Sequence, residues 1–536
     1  MSSIPFDVVA QKAHSGFVAQ LTDIVGEANV AQSQQSRRVA SQDVYRSGEL
    51  PLAVVAPAST DEVSAVVKAS TQAGVAVFVR GGGMSYTDAF LPDRADSIVL
   101  STERLTAIRE INAQDLFVTV ESGCTWAALD EALKPHDVRC VFWGPMSGGV
   151  STVGGAMAQG AVTFGSSKNG SSMAAAVGLE VVLADGSIAI TGSAAQPNHS
   201  AFYREYGPDM TGLFCGDCGA LGVKTAVTIR LEPRPNVGAG LSFSFNDFAS
   251  LTEAVGRVTR HGLATEVFGA ETALVKSVAG DANLKNDFGQ LMTIMRGAPN
   301  AWAALKNGFK AAIGGRRFLK GSSFLVNFLA EGYDNRQLAS TLQRIRHEVG
   351  DRGVEIANTM AEFTRAMPFP EPAVLGPNGK RLLPLHAVVP YSKAAGLQAD
   401  VDSYLQSIKS QCEEHRVEVY VVYATCGSAG FLYETVMYWE DEWLDIHRIT
   451  MSDDVLASFS EPARDDASRD LVENIRVRTI DIMYEHGATH FQIGKAYPYT
   501  RERDATSLDV LREVKRRVDP YNLLNPGALG LISHDS

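Results

Sequence analysis

Val75-Ala76-Val77-Phe78-Val79 runs directly into Arg80-Gly81-Gly82-Gly83-Met84-Ser85, and this junction decides how the chain is read. The apolar, β-branched run predicts a strand. Three glycines straight after it let the backbone turn with positive φ and bring several N–H groups to one anion, with Ser85 able to donate a further bond. A phosphate or pyrophosphate is the natural guest, although one such loop reads equally well as an ordinary glycine-rich turn. Upstream, LPLAVVAP (50–57) predicts a strand, residues 59–62 a capped helix start, and 63–72 an amphipathic helix closed by Gly74. The glycines therefore end a β-α-β unit.

Two more glycine loops follow. The second is Gly144-Pro145-Met146-Ser147-Gly148-Gly149-Val150-Ser151-Thr152-Val153-Gly154-Gly155, with small Ala156, Ala158, Gly160 and Ala161 beside it. The third, Gly216-Asp217-Cys218-Gly219-Ala220-Leu221-Gly222, leads into a strand over 223–233 whose Val223, Thr225, Val227 and Ile229 should share one face. Further strands are predicted at 97–100, 116–122, 179–184 and 188–191, the last two joined by an Asp185-Gly186 turn. Three loops at strand ends are hard to explain by turns alone. None has the G-x-G-x-x-G or G-x-x-x-x-G-K-[ST] pattern, which disfavours a nicotinamide Rossmann site and a P-loop. G-x-S-x-G and H-E-x-x-H are absent too, so hydrolase readings lose their easiest support.

The surrounding chain sets limits. At 536 residues it exceeds the roughly 250–300 residues at which one core stops growing, so at least two globular units are expected. Pro233 and Pro235 mark the first boundary. We expect units at 1–235, 236–475 and 476–536. The formal net charge of −13, from 48 Lys+Arg against 61 Asp+Glu, argues against nucleic acid as a partner. Six scattered cysteines, no signal-like N-terminus and no run of 18 apolar residues together suggest a cytoplasmic chain. The exception to its acidity is 300–321, where Lys306, Lys310, Arg316, Arg317 and Lys320 alternate with apolar residues. A solvated helix face is the favoured reading there, with peripheral membrane contact or an acidic redox partner behind it.

RGGGMS, STVGGAMAQG, GLEVVLADGS, DMTGLFCGDCGALGVKTAVTIRLEP and, near the end, VDPYNLLNPGALG resemble in order and spacing the FAD-linked oxidases and dehydrogenases of the vanillyl-alcohol oxidase/p-cresol methylhydroxylase superfamily. The resemblance covers about residues 50–235 and 485–530. It implies an α+β fold: a two-subdomain FAD-binding domain of the p-cresol methylhydroxylase type, interrupted by an α+β substrate or cap domain, with the C-terminal segment returning to the flavin. By that match, FAD falls to Gly81, Gly82, Gly83, Met84, Ser85, Pro145, Thr152, Gly154, Gly155, Gly170, Gly219, Gly222, Val223 and Asn525. Some members attach the flavin to a histidine in the first loop or the cap. Here Met84, Ser85 and Tyr86 follow the glycines and no histidine lies between 416 and 446, so non-covalent FAD is expected. Where related D-2-hydroxyacid dehydrogenases carry a histidine-rich metal motif, this chain has YATCGSAGFLYETVMYWEDEW (423–443), so no metal is expected.

The implied activity is oxidation of a small alcohol or 2-hydroxy acid by hydride transfer to the flavin, with oxygen, a quinone or a cytochrome as re-oxidant and a homo-oligomer compatible with it. A para-alkylphenol or benzylic alcohol oxidase or dehydrogenase is the alternative within the superfamily. A non-redox flavin-dependent transferase, like the alkyl-dihydroxyacetone-phosphate synthases of the same superfamily, is the alternative from a different reaction class, although only His490 remains of their histidine run. Three residues are candidates for catalysis. His490 could act as base, and Lys495 as anchor for a carboxylate, phenolate or flavin charge. Glu434 is a carboxylate in an apolar run that is either strand-exposed or functional. Each also has a structural reading, as do Tyr391, Tyr497, Tyr499, Arg501 and His386. Cys215 and Cys218 have C-x-x-C spacing but read as buried, inert thiols.

Overall fold

The helix expected after residue 59 forms because Ser59 caps it: its hydroxyl accepts from the Glu62 backbone N–H at 3.1 Å. The helix Thr60–Gln72 then buries Val63, Val66 and Val67, the stripe spaced three and four apart. The computed structural model describes residues 6–279 and 322–531, so the basic 300–321 segment lies outside the described residues.

Three sheets follow one another along the chain. The first contains β1 (Val30–Ala31), β2 (Ala53–Val55), β3 (Ala76–Arg80) and β4 (Ser97–Ser101), ordered β1-β2-β4-β3. β2 and β3 run parallel to β4. Leu21 of the Phe6–Val25 helix and Val63 of the Thr60–Gln72 helix close over Val55, Val77, Ile98 and Leu100.

The second sheet comprises β5 (Ile108–Asn112), β6 (Phe117–Glu121), β7 (Val138–Cys140), β8 (Ala176–Val182), β9 (Ile188–Ile190) and β10 (Val223–Pro233). Its order is β5-β6-β10-β8-β9, with β7 also on β10. β10 does not keep the single alternating face expected of it. Its pairing with β8 shifts register between Lys224 and Ala226 and again between Thr228 and Ile229, the mark of bulges. Val223 consequently joins the first sheet's core, whereas Val227 and Ile229 join the second's. Thr225 instead bonds the Glu180 carboxylate at 2.8 Å.

The third sheet is antiparallel: β11 (Val237–Phe245), β12 (Glu266–Glu271), β13 (Phe324–Gly332), β14 (Val354–Ile356), β15 (Arg381–Pro390), β16 (Glu418–Cys426) and β17 (Gly430–Trp439), ordered β14-β11-β13-β12-β16-β17-β15. On β17, Phe431, Tyr433, Met437 and Trp439 point into the core beneath helix Asp466–Glu485, which adds Leu471, Val472, Ile475, Ile482 and Met483. Each fully buried side chain of this kind contributes about 1.5–3 kcal/mol. A one-residue slip would bury Glu434 in their place, so the register is strongly specified. The opposite face carries Leu432, which packs on Val162 and Phe491, and with it Glu434. That face looks toward the glycine loops.

The chain beyond the last long helix of the cap sheet joins the units. Thr489 exchanges two backbone bonds with Val388 on β15, at 2.8 and 2.9 Å, and residues 523–525 pair with Val77 on β3. Among the described residues no helix is long and apolar enough to cross a membrane.

Candidate active site

The first two loops meet backbone to backbone. A Cβ on Gly82 would overlap the Val150 carbonyl, 2.8 Å from its carbon, and one on Gly81 would overlap the Thr152 hydroxyl. Close approach, rather than left-handed backbone, is thus what requires glycine at 81 and 82. Of the three, only Gly83 has positive φ, at 75°. Thr152 caps the short helix after the second loop by accepting from Gly155 N–H. A Cβ on Gly154 would run into Ser122.

The third loop is shaped by a buried ion pair. Asp217 accepts from Lys224 Nζ at 2.5 Å and from the Gly219 and Leu221 N–H groups at 3.0 and 3.1 Å. Both side chains are almost fully buried, and the extra backbone donors complete the carboxylate's bonding as such a pair requires. Asn525 bridges the first and third loops, its amide donating to the Ala89 carbonyl at 2.6 Å and to that of Cys218. Lys515 reinforces this from behind, donating to Asp519, Ala220 O and Leu524 O.

Between the loops lies an open cleft to which all three loops contribute lining residues. Every FAD residue expected from the sequence lines it except Gly170 and Asn525. Gly170 ends the Ser166–Asn169 helix with φ 83°, and Asn525 is the loop bridge just described. Sequence reasoning missed Thr102, Ser122, Gln159, Lys224 and Gln492, which also line the cleft. Isolated hydroxyls and amides have no motif to betray them. No lining residue among the described residues is an Asp or Glu, and the Thr102 and Ser122 hydroxyls have no partner among them. A cleft of glycines and unpaired hydroxyls without carboxylates suits a group bearing phosphates.

Gln492, which lines the cleft, belongs to a cluster drawn from β15, β17 and 490–497. His386 lies opposite Glu434 in the β15–β17 register. Its ring stacks on Phe491 at 4.0 Å, and its Nε2 is 3.1 Å from Gln492 Oε1. His490 stacks on Tyr497 at 4.1 Å and donates from Nδ1 to the His386 carbonyl at 3.0 Å. That bond leaves Nε2 as an acceptor, and it has no partner among the described residues. Burial lowers both histidines, His386 to about 4, so both rings are neutral at ordinary pH. The Glu434 carboxyl has no hydrogen-bond partner among the described residues, and burial alone pushes it up to about 7. Its charge in turn acts on Tyr86, which follows the first loop, and on Tyr438 and Tyr497.

The other candidates lie elsewhere. Lys495 gives its ammonium to Leu91 O and to Asp93, both at 2.9 Å, and does not line the cleft. Tyr391 bonds Thr259, Arg501 pairs with Asp481 on the surface, and Tyr499 packs with Ile493. Cys215 and Cys218 are free thiols, raised by burial to about 11 and about 12. Cys218 Sγ accepts the Gly494 N–H at 3.2 Å, a structural bond. No group of three or more His, Cys, Asp or Glu among the described residues could hold a metal ion.

Residues 51–192 match the family model of an FAD-binding domain. This part of the chain carries an FAD-binding domain. An FAD-linked oxidoreductase of Mycobacterium tuberculosis is 28% identical over 47% of this chain and 54% of its own length, so the match spans about half of that relative. D-lactate dehydrogenase of Archaeoglobus fulgidus is 24% identical over 90% of this chain and 95% of its own. In fold, p-cresol methylhydroxylase superposes with a TM-score of 0.75 at 14% identity, over 98% of each chain. The α+β architecture of FAD domain and cap expected from the superfamily is the one observed.

Proposed function

We propose that the protein is an FAD-dependent oxidoreductase that oxidises a small hydroxylated substrate, an alcohol or a 2-hydroxy acid, and that the glycine cleft holds the FAD. The observation that carries this reading is the juxtaposition of a carboxylate-free, glycine-lined cleft with a sheet face bearing Glu434 and His386, to which His490 is hydrogen-bonded. Likeness to D-lactate dehydrogenase along nearly the whole chain supports the substrate class. Residues 1–235 would form the FAD unit, 236–475 the substrate unit and 476–536 the return.

Bound FAD would supply the hydride acceptor. Gly81, Gly82, Gly83, Gly154 and Gly155, with the hydroxyls of Ser85, Thr102, Ser122 and Thr152, would hold it. Glu434 takes the substrate's hydroxyl proton on its carboxylate. A carboxyl that titrates near 7 is well matched to that task. His490, with a free acceptor at Nε2, is the second candidate for the same role. Lys495, committed to Asp93, is left to hold the segment in place.

Anaerobic mixing with a panel of 2-hydroxy acids, aliphatic alcohols and para-substituted phenols tests the reading. Bleaching of the flavin by a hydroxylated substrate is expected. No bleaching by any of them would overturn oxidation and favour a non-redox transfer. The cofactor should also be non-covalent. Acid precipitation is expected to leave a colourless pellet and a yellow supernatant, and a yellow pellet would refute this.

A further inference from the structure

Gln492 is an unusual residue in the cluster. Its φ is 51°, a left-handed conformation that costs any residue but glycine and persists where the surroundings over-determine it. Two bonds hold it there. Its N–H donates to Gln159 O at 2.7 Å, Gln159 itself lines the cleft, and the Gln492 side-chain oxygen lies against His386.

The hydrogen-bond roles can be followed outward. The Tyr497 oxygen accepts the His386 backbone N–H at 2.9 Å, and its hydroxyl lies 3.4 Å from His386 Nδ1. With Nδ1 as acceptor, the single proton of the neutral imidazole sits on Nε2 and donates to Gln492 Oε1. The amide NH₂ is then turned away from His386, and Gln492 lines the cleft.

We propose that Gln492 is a cofactor-facing donor whose amide is aimed into the glycine cleft by two positioning residues, His386 and Tyr497, so that it hydrogen-bonds an acceptor atom of the flavin ring. The inference rests on the reading that FAD occupies this cleft. A donor held in place before reduction favours the form of the ring that carries more negative charge, so it should raise the reduction potential as well as tighten binding.

The test uses the purified holoprotein and two readouts, the FAD dissociation constant and the flavin midpoint potential. Gln492→Asn keeps a side chain that tolerates left-handed backbone but is too short to reach both His386 and the cleft. Gln492→Met removes the amide at similar length. Both are expected to weaken FAD binding about 3- to 10-fold, the usual value of one neutral hydrogen bond, and to lower the potential. His386→Leu should reproduce both effects. His386→Gln, whose amide nitrogen can replace Nε2–H, should restore them. Wild-type affinity and potential in both Gln492 variants would overturn the donor. Normal values in His386→Leu alongside shifted Gln492 variants would overturn the positioning role. If the wild type binds FAD and a Gly82→Val variant binds it equally well, the occupancy of the cleft fails first, and this inference with it.

Discussion

Gly82→Val should purify almost free of flavin. A Cβ at this position would overlap the Val150 carbonyl oxygen and lie 2.8 Å from its carbon and 3.2 Å from Ser151 Cα. All three are backbone atoms, which cannot swing aside as a side chain can. Accommodating the valine must separate the first and second loops, and with them the two walls of the cleft. Gly149→Ala, in the second loop but not lining the cleft, is the matched control, because a Cβ there would meet nothing within 4 Å. The ratio of flavin to protein absorbance reads both variants. A full complement in Gly82→Val would remove the first loop from the FAD site.

Glu434→Gln should retain FAD and lose flavin reduction by about 10²–10⁴-fold, the usual contribution of a positioned base. The pH dependence follows from burial. The carboxyl titrates at about 7 rather than 4.5, so reduction in the wild type should rise with pH through about 7 as the base becomes available, and the variant should lack that limb. Stability runs the other way. A carboxyl raised on folding is stabilising while protonated, and that contribution is complete below 4.5 and lost as pH rises through about 7. Above 7, Glu434→Gln should therefore be the more stable protein by thermal denaturation. Stopped-flow reduction at wild-type rates in a fully loaded Glu434→Gln would transfer the role to His490, whose alanine variant then becomes the decisive one.

Most of the cleft was legible in the sequence because its signals are local. A strand followed at once by Gly81, Gly82 and Gly83 can be read without knowing what lies nearby, and so can the capped helix at Ser59. The reason for glycine was not legible. Positive φ is the general expectation, yet Gly82 answers to Val150, a neighbour 68 residues along the chain that only the fold supplies. The same limit applies to the cluster. Glu434 could be singled out by alternation on an apolar strand, but its register opposite His386 could not. Gln492 meets His386 across 106 residues, and a glutamine attracts no notice in a search for titratable groups. Lys495 illustrates the converse. A Gly-Lys dipeptide suggested an anion anchor, whereas Asp93, carried in from the first unit, takes the charge.

The pairing of Leu523 and Asn525 with Val77 has a consequence for how the protein is made. These residues cover the open edge of β3, and Asn525 then joins the first and third loops. During translation the first sheet is complete some 420 residues before its edge is covered, counting from Ser101 to Leu523. An uncovered strand edge is a template for pairing with other chains, so the nascent protein carries an adhesive border while those residues are added. The glycine cleft is among the last parts to be assembled, and only a chain that has left the ribosome well past residue 525 can close it.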